Sequence, residues 1–438
     1  MQLAVKDIIE ALTNSLNLLK EDEKKINELN VFPVPDGDTG TNMRLTLEAG
    51  VNAIKNETEM KKIFSLLSVG MLNGARGNSG VILSMFFKGF CKYLKEYEYI
   101  TPNVLLESFK SAKEYVYKKM KNPVEGTILT VFRCSLDIDN PISFKDLFER
   151  MHQKMEVTLA NTPKMLKILE DAHVVDAGGA GLVSIIAGIL SYINNENIAS
   201  NIKYTQKVKI KYYNELEHKP IAYITYCVGS GIKQIYSDLG ADVILECPNT
   251  INPSASEIET AIRNTKADYI VILPNNNNAI LTTQMAIKMS QRENVYILET
   301  KSMAEGYFAL SMMVRTSDNF IFQFNEMKEG LEGVISIDIV RAIKSGNYQG
   351  TEYNKGDTLI ISSNKIINKT NNFIDALSLG LNNFDLEEKE IIAIFVGKNV
   401  TEEEKEEIEE FLEENYCDLE FGILDGNFDN VDLIIGIS

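Results

Sequence analysis

Val31-Phe-Pro-Val-Pro-Asp-Gly-Asp-Thr-Gly-Thr-Asn-Met43 decides the reading of this chain. Pro33 and Pro35 stiffen an extended approach to the turn. Asp36 and Asp38 flank one glycine, and Gly37 and Gly40 let the backbone bend and come close to a ligand. Thr41 and Asn42 open a segment with helical apolar spacing. Two carboxylates in a turn before a helix N-terminus suit Mg2+, which takes oxygen ligands. The unpaired N–H groups of such a helix start suit phosphate. A plain surface turn with helix-capping Asp and Thr is the competing reading. Three further loops of the same chemistry weigh against it.

Those loops are Gly74-Ala-Arg-Gly-Asn-Ser-Gly80, Asn122-Pro-Val-Glu-Gly-Thr127 and Val174-Val-Asp-Ala-Gly-Gly-Ala-Gly-Leu182. Apolar residues at helical spacing predict eight helices in the first two hundred residues. The seventh is broken near Pro163. Short loops make consecutive helices antiparallel neighbours, so the four Gly-rich loops fall at one end of an up-and-down arrangement. Each precedes a helix and presents N–H groups there. Asp36 and Asp38 are read as metal ligands. Gly40, Thr41 and Asn42 are read as phosphate or ribose contacts, Asn78, Ser79 and Gly80 as a second grip, and Gly126 and Thr127 as a third. Asp176, Ala177 and Gly178 are read as a wall for the nucleotide. Arg76 is read as a stabiliser of charge on a transferring phosphoryl group, with a structural arginine as the equal alternative.

The 438 residues carry 62 acidic and 44 basic side chains, a formal net charge of −18. Such a chain is a poor partner for a nucleic-acid backbone or an anionic membrane. The length calls for two or three domains. Five scattered cysteines without a Cys-x-x-Cys pair argue against a disulfide framework and a cysteine-rich zinc site. Without a signal peptide or a spanning apolar run, a soluble cytoplasmic protein is expected.

A polar segment, 201–219, reads as a linker with one edge strand. Strands and helices then alternate over 220–330, which predicts a parallel sheet with helices on its faces. Polar loops, Ser230-Gly231, Thr250–Ser254, Pro274–Asn278 and Thr300–Gly306, stand at its strand ends, where ligands bind in open sheets. A second α/β portion follows over 331–438. The Glu-rich run Glu402–Glu414 is a solvated helix face.

The motifs Val31–Met43, Gly74–Leu83, Pro123–Val131 and Val174–Leu182 resemble the ATP-binding domain of bacterial fatty acid kinase, a domain similar to the L subunit of dihydroxyacetone kinase. The second half resembles the family's C-terminal region, which is similar to DegV-type fatty-acid-binding proteins. The resemblance implies a multidomain α and α/β chain: an eight-helix barrel over residues 1–200 followed by a DegV-like region. It also implies ATP or ADP with Mg2+, held by Asp36 and Asp38 with Thr39 beside them. Where the dihydroxyacetone kinase L subunit has a third aspartate, this chain offers Asn30. The implied reaction is phosphorylation of a fatty acid carboxylate presented by a DegV-type partner, and the family's frequent pairing makes a homodimer an open expectation. The family's zinc-binding middle domain, with its His-x-His pair, is missing here. The chain has three histidines, and His173 alone lies near the loops. A kinase for a hydroxylated substrate such as dihydroxyacetone, and a regulatory module that holds nucleotide without turnover, remain alternatives.

Overall fold

The computed structural model describes residues 3–31, 37–120, 122–199, 208–213, 218–248, 252–314, 317–342, 345–348, 351–363, 365–429 and 431–438. Contacts divide the chain into two compact units. One is Met1–Thr205 with Ser254–Ser256; the other is Gln206–Pro253 with Glu257–Ser438.

Apolar residues at helical spacing make the first unit α-helical, and its helices are α1 (Val5–Glu28), α2 (Thr39–Ile54), α3 (Met60–Gly74), α4 (Gly77–Leu94), α5 (Pro102–Lys119), α6 (Ile128–Ser135), α7 (Phe144–Asn161), α8 (Lys167–Asp171) and α9 (Ala177–Ile193). A 3-10 turn at Thr162–Lys164 and the short α8 form the break expected near Pro163. Side-chain oxygens of Thr101, Thr127, Ser143 and Asp176 cap α5, α6, α7 and α9, each accepting from a first-turn N–H. Neighbours pack in chain order from α1 to α5, α5 touches α6 and α7, and α9 returns to lie against α1, closing a ring. Glycine permits the closest approach. A Cβ on Gly70 of α3 would stand 2.6 Å from the Cβ of Ala53 on α2. Leu47, Ile63, Leu67, Met71, Val116, Leu147 and Met155 are fully buried in the shared core. Inside the ring lies a cavity of about 690 Å3, walled by Phe64, Phe86, Phe87, Phe90, Phe109 and Ile186 among others.

In the second unit, strands β1 (Lys209–Tyr212), β2 (Lys219–Cys227), β3 (Val243–Glu246), β4 (Ala267–Leu273) and β5 (Val295–Ile297) form a sheet of order β1-β3-β2-β4-β5. The four strands β3-β2-β4-β5 are parallel, and β1 joins antiparallel at the edge. Helices α10 (Ser230–Leu239), α11 (Ala255–Asn264) and α12 (Asn277–Ser290) make the crossovers. Helices α13 (Met303–Ser311) and α14 (Phe320–Glu329) follow.

The later part of this unit contains β6 (Ile335–Arg341), β7 (Gly346–Tyr348), β8 (Thr351–Tyr353), β9 (Thr358–Ser362), β10 (Lys365–Thr370), β11 (Ile391–Val396), β12 (Glu420–Asp425) and β13 (Leu433–Ile437). A second sheet runs β10-β9-β6-β13-β11-β12 and is antiparallel except for the β11–β12 pair. Its two helices are α15 (Phe373–Leu381) and the Glu-rich α16 (Glu402–Asn415). Ile408 and Leu412 form the buried face of α16, with Phe411 half-buried beside them. Phe395, Ala393 and Ile434 of this sheet share a core with Ile244, Val271 and Phe308, so both sheets belong to one hydrophobic body.

Candidate functional site

Four contacts bring the helix starts of the first unit together. Ser79 Oγ, in the first turn of α4, lies 3.5 Å from Thr39 Oγ1, the first residue of α2. The Thr39 hydroxyl donates to Asn30 Oδ1 at the end of α1. A Cβ on Gly178 of α9 would stand 3.2 Å from the Cβ of Ile128, the first residue of α6. A Cβ on Gly181 would stand 2.5 Å from Met43 Sδ on α2. The N-termini of α2, α4, α6 and α9 therefore share one end of the ring.

Gly77–Gly80 and 177–182, read from the sequence as loops, are the first turns of α4 and α9. Their glycines serve helix packing. Thr39–Asn42 is likewise the first turn of α2, with Asp38 at its N-cap.

Asp38 is 2% exposed and Asn42 1% exposed. Asn42 N–H donates to Asp38 O at 2.8 Å, and Asn42 Oδ1 has no hydrogen-bond partner among the described residues. An orphaned oxygen at this depth costs stability unless a ligand or water meets it. Asn30 is also buried. Asp38, Asn30, Thr39 and Asn42 are an oxygen donor set, the kind that a hard dication accepts. Asp36 lies outside the described residues, as do Pro33, Pro35 and Thr250. Among the described residues there is no group of three His, Cys, Asp or Glu side chains arranged for a metal.

The first-turn N–H groups of α2 are not open as the sequence implied. Gly40 N–H and Thr41 N–H both donate to Asn27 Oδ1, at 2.7 and 3.2 Å. Arg76 stands at the N-cap of α4, half-buried, and its N–H donates to Thr46 Oγ1 at 3.3 Å. Asn78 and Ser79 are half-buried in the same turn, and Gly80 N–H donates to Arg76 O at 3.1 Å.

Thr127 and Asp176 act as caps. Thr127 Oγ1 donates to Val124 O at 2.7 Å and accepts from Leu129 N–H, while Gly126 N–H donates to Thr130 Oγ1 at 2.8 Å. The Asp176 carboxylate accepts from Gly179 N–H at 2.6 Å and from the Ile128 backbone. It ties the starts of α6 and α9 together. Burial pushes its pKa up to about 6 against those two bonds, which act downward. Ala177 and Gly178 are buried behind it. His173 is exposed, with φ +53°.

In the second unit, Ser230-Gly231, Pro274–Asn278 and Thr300–Gly306 are engaged in internal bonds. Gly231 N–H and Ile232 N–H donate to Gly426 O, at 3.1 and 3.2 Å, which joins the α10 start to the end of β12. Asn275 Nδ2 donates to Thr225 Oγ1 at 2.8 Å and Tyr226 O at 2.9 Å, and its Oδ1 accepts from Thr300 Oγ1 at 2.7 Å. Such a fully engaged buried amide holds three strand ends in register.

Residues 33–191 match the DAK2 domain family, and residues 222–438 match the C-terminal domain family of FakA-like fatty acid kinase proteins. The two domains, in this order, define a kinase family. The chain belongs to the FakA-like fatty acid kinase proteins. It is 26% identical to protein YloV of Bacillus subtilis over 522 aligned positions, which cover 93% of this chain and 94% of the relative. That alignment is longer than the 438-residue chain, so YloV carries sequence that this chain lacks. Residues 192–221 alone separate the two matched domains. Among solved structures, the C. freundii dihydroxyacetone kinase in complex with AMP-PNP and Mg2+ aligns at a TM-score of 0.34 and 17% identity, over 44% of this chain and 35% of that one. DegV, a fatty acid binding protein from Bacillus subtilis, aligns at 0.36 and 14%, over 50% of this chain and 98% of that one. No helix among the described residues is long and apolar enough to cross a membrane.

Proposed function

We propose that this chain is an ATP-dependent kinase that phosphorylates a fatty acid carboxylate, giving an acyl phosphate, with the acid presented by a DegV-type lipid-binding partner. The observation that carries the reading is the meeting of the α2 and α4 first turns at Thr39 and Ser79, next to the buried N-cap Asp38, within a DAK2 domain. Asp38 and Asp36 would hold Mg2+, with Asn30, which accepts from the Thr39 hydroxyl, as a further oxygen ligand. Bound there, the ion neutralises charge on the phosphates. Thr39, Ser79 and Asn78 orient the phosphate chain by side-chain hydrogen bonds, and Arg76 faces the transferring group. Asn42 offers its orphaned oxygen as a further contact. Asp176, Ala177 and Gly178, with Gly126 and Thr127, shape the wall on the α6–α9 side. A carboxylate is already ionised at neutral pH, so the attacking oxygen needs no general base and the work is positioning. A hydroxyl substrate benefits from a general base, and no histidine stands in Ser230-Gly231, Pro274–Asn278 or Thr300–Gly306, which counts against that alternative.

The sequence that YloV has and this chain lacks favours one second reading, a nucleotide-binding regulatory module without turnover. The test mixes the full chain with Mg-ATP, a DegV-type protein and a long-chain fatty acid, and follows ADP release. ADP release that requires both lipid and partner, and is lost in Asp38→Asn, supports the kinase. Nucleotide binding without lipid-stimulated release in any combination overturns it and leaves the regulatory module.

A further inference from the structure

Glu23 and Asn27 lie one turn apart on α1, in a stretch crowded with charged residues, yet both reach into the first turn of α2. Asn27 Oδ1 accepts from Gly40 N–H and Thr41 N–H, at 2.7 and 3.2 Å, and Asn27 Nδ2 donates to Thr41 Oγ1 at 3.0 Å. The Thr41 hydroxyl donates to Glu23 Oε1 at 2.7 Å, and Arg44 Nε donates to Glu23 Oε2 at 2.6 Å. Arg44 is 1% exposed and also meets Glu48 at 3.0 Å, which Lys20 approaches at 3.0 Å. A Cβ on Gly40 would stand 2.9 Å from Asn27 Oδ1 and 2.7 Å from Glu23 O, so the α1–α2 approach requires glycine there.

A side-chain amide is suited to this place. Its oxygen satisfies two helix-start N–H groups, and its nitrogen satisfies the threonine, without adding charge beside Asp38. The held residues immediately follow Asp38 and Thr39. Fixing Gly40 and Thr41 thus fixes where the Asp38 carboxylate and the Thr39 hydroxyl stand. We propose that Asn27 is a positioning residue: it pins the first turn of α2 and so sets the site that Asp38 offers to a Mg-nucleotide, with Glu23 and Arg44 backing Thr41 from behind. Second-layer hydrogen bonds of this kind commonly hold a metal ligand in place. The inference rests on the nucleotide-binding reading above.

The test measures Mg-ADP binding by calorimetry for the full chain and for Asn27→Ala, Asn27→Asp and Ser15→Ala. Ser15 is the control, because its hydroxyl makes a buried 2.7 Å bond from the same helix to Ile185 O on α9, away from the helix starts. Asn27→Ala is expected to weaken Mg-ADP binding about tenfold or more. Asn27→Asp keeps an acceptor for both N–H groups and recovers part of that loss. Ser15→Ala lowers the melting temperature comparably and leaves affinity unchanged. Wild-type affinity in Asn27→Ala, or an equal loss in Ser15→Ala, overturns the positioning role. Failure of the wild type to bind Mg-ADP overturns the nucleotide reading itself, and the inference falls with it.

Discussion

Gly77→Ala tests the geometry of the α4 start directly. Gly77 has φ +54°, a conformation that costs a residue with a Cβ about 1 kcal/mol or more. The new Cβ would stand 2.8 Å from Asn42 Cγ and closer still to its Nδ2. Asn42 is 1% exposed on α2 and has little room to turn away. Overpacking of this kind adds about 1–3 kcal/mol. The single substitution should therefore cost about 2–4 kcal/mol in the urea unfolding of the helical unit, followed by far-UV circular dichroism. Asn42→Ala removes the obstructing atoms. In the double variant the packing cost disappears and the backbone cost remains, so the two sites should couple by about 1–3 kcal/mol. A single-variant cost below about 1 kcal/mol, or additivity of the two substitutions within about 0.5 kcal/mol, would refute the contact between the α4 start and α2.

Two further outcomes follow from buried charge. Arg44→Met strands Glu23 Oε2 in the core and should cost about 3–5 kcal/mol, with much of it returned by adding Glu23→Gln; urea titration of the three variants checks this. Asp338 sits half-buried on β6 between Ile361 and Ile434, and burial pushes its pKa up to about 7. Because the folded chain holds that proton more tightly than the unfolded one, this group's contribution to stability is fullest in acid and is lost as pH rises through about 7. Asp338→Asn should gain about 1–3 kcal/mol over the wild type near pH 8 and nothing near pH 4, read from urea midpoints at the two pH values. A pH-independent difference would place Asp338 in water.

Much of the fold was legible because period and punctuation agreed. The portion 331–438, read as α/β, holds the strands Ile335–Arg341, Thr358–Ser362, Ile391–Val396 and Leu433–Ile437, and its Glu-rich run is the helix Glu402–Asn415. The failures have separate causes. Thr300–Gly306 reads as a strand-end loop, although Ser302 and Glu305 form the start of α13, where Ser302 Oγ accepts from Glu305 N–H. The spacing of those two residues was the available signal. β12 is missed because Phe421 and Ile423 alternate too briefly beside the long α16 pattern. Glycine misled at the helix starts: a glycine that opens a loop and one that admits a neighbouring helix look alike in one sequence. At the site, Asp38, Thr39 and Ser79 stand out by motif. Asn27, Glu23 and Arg44 do not, because their partners are brought to them only when α1 and α2 pack.

The cavity inside the helical ring bears on how such a sequence drifts. Side chains such as Phe87, Phe90 and Ile189 face space that is already open, so shortening one removes contacts without opening a new void, and lengthening one meets no wall. The seams between helices, where Gly70 meets Ala53 and Gly40 meets Asn27, tolerate neither change. Variation is then expected to accumulate on the inner lining while the seams stay fixed, so that the ring keeps its outline as the residues around its hollow are exchanged.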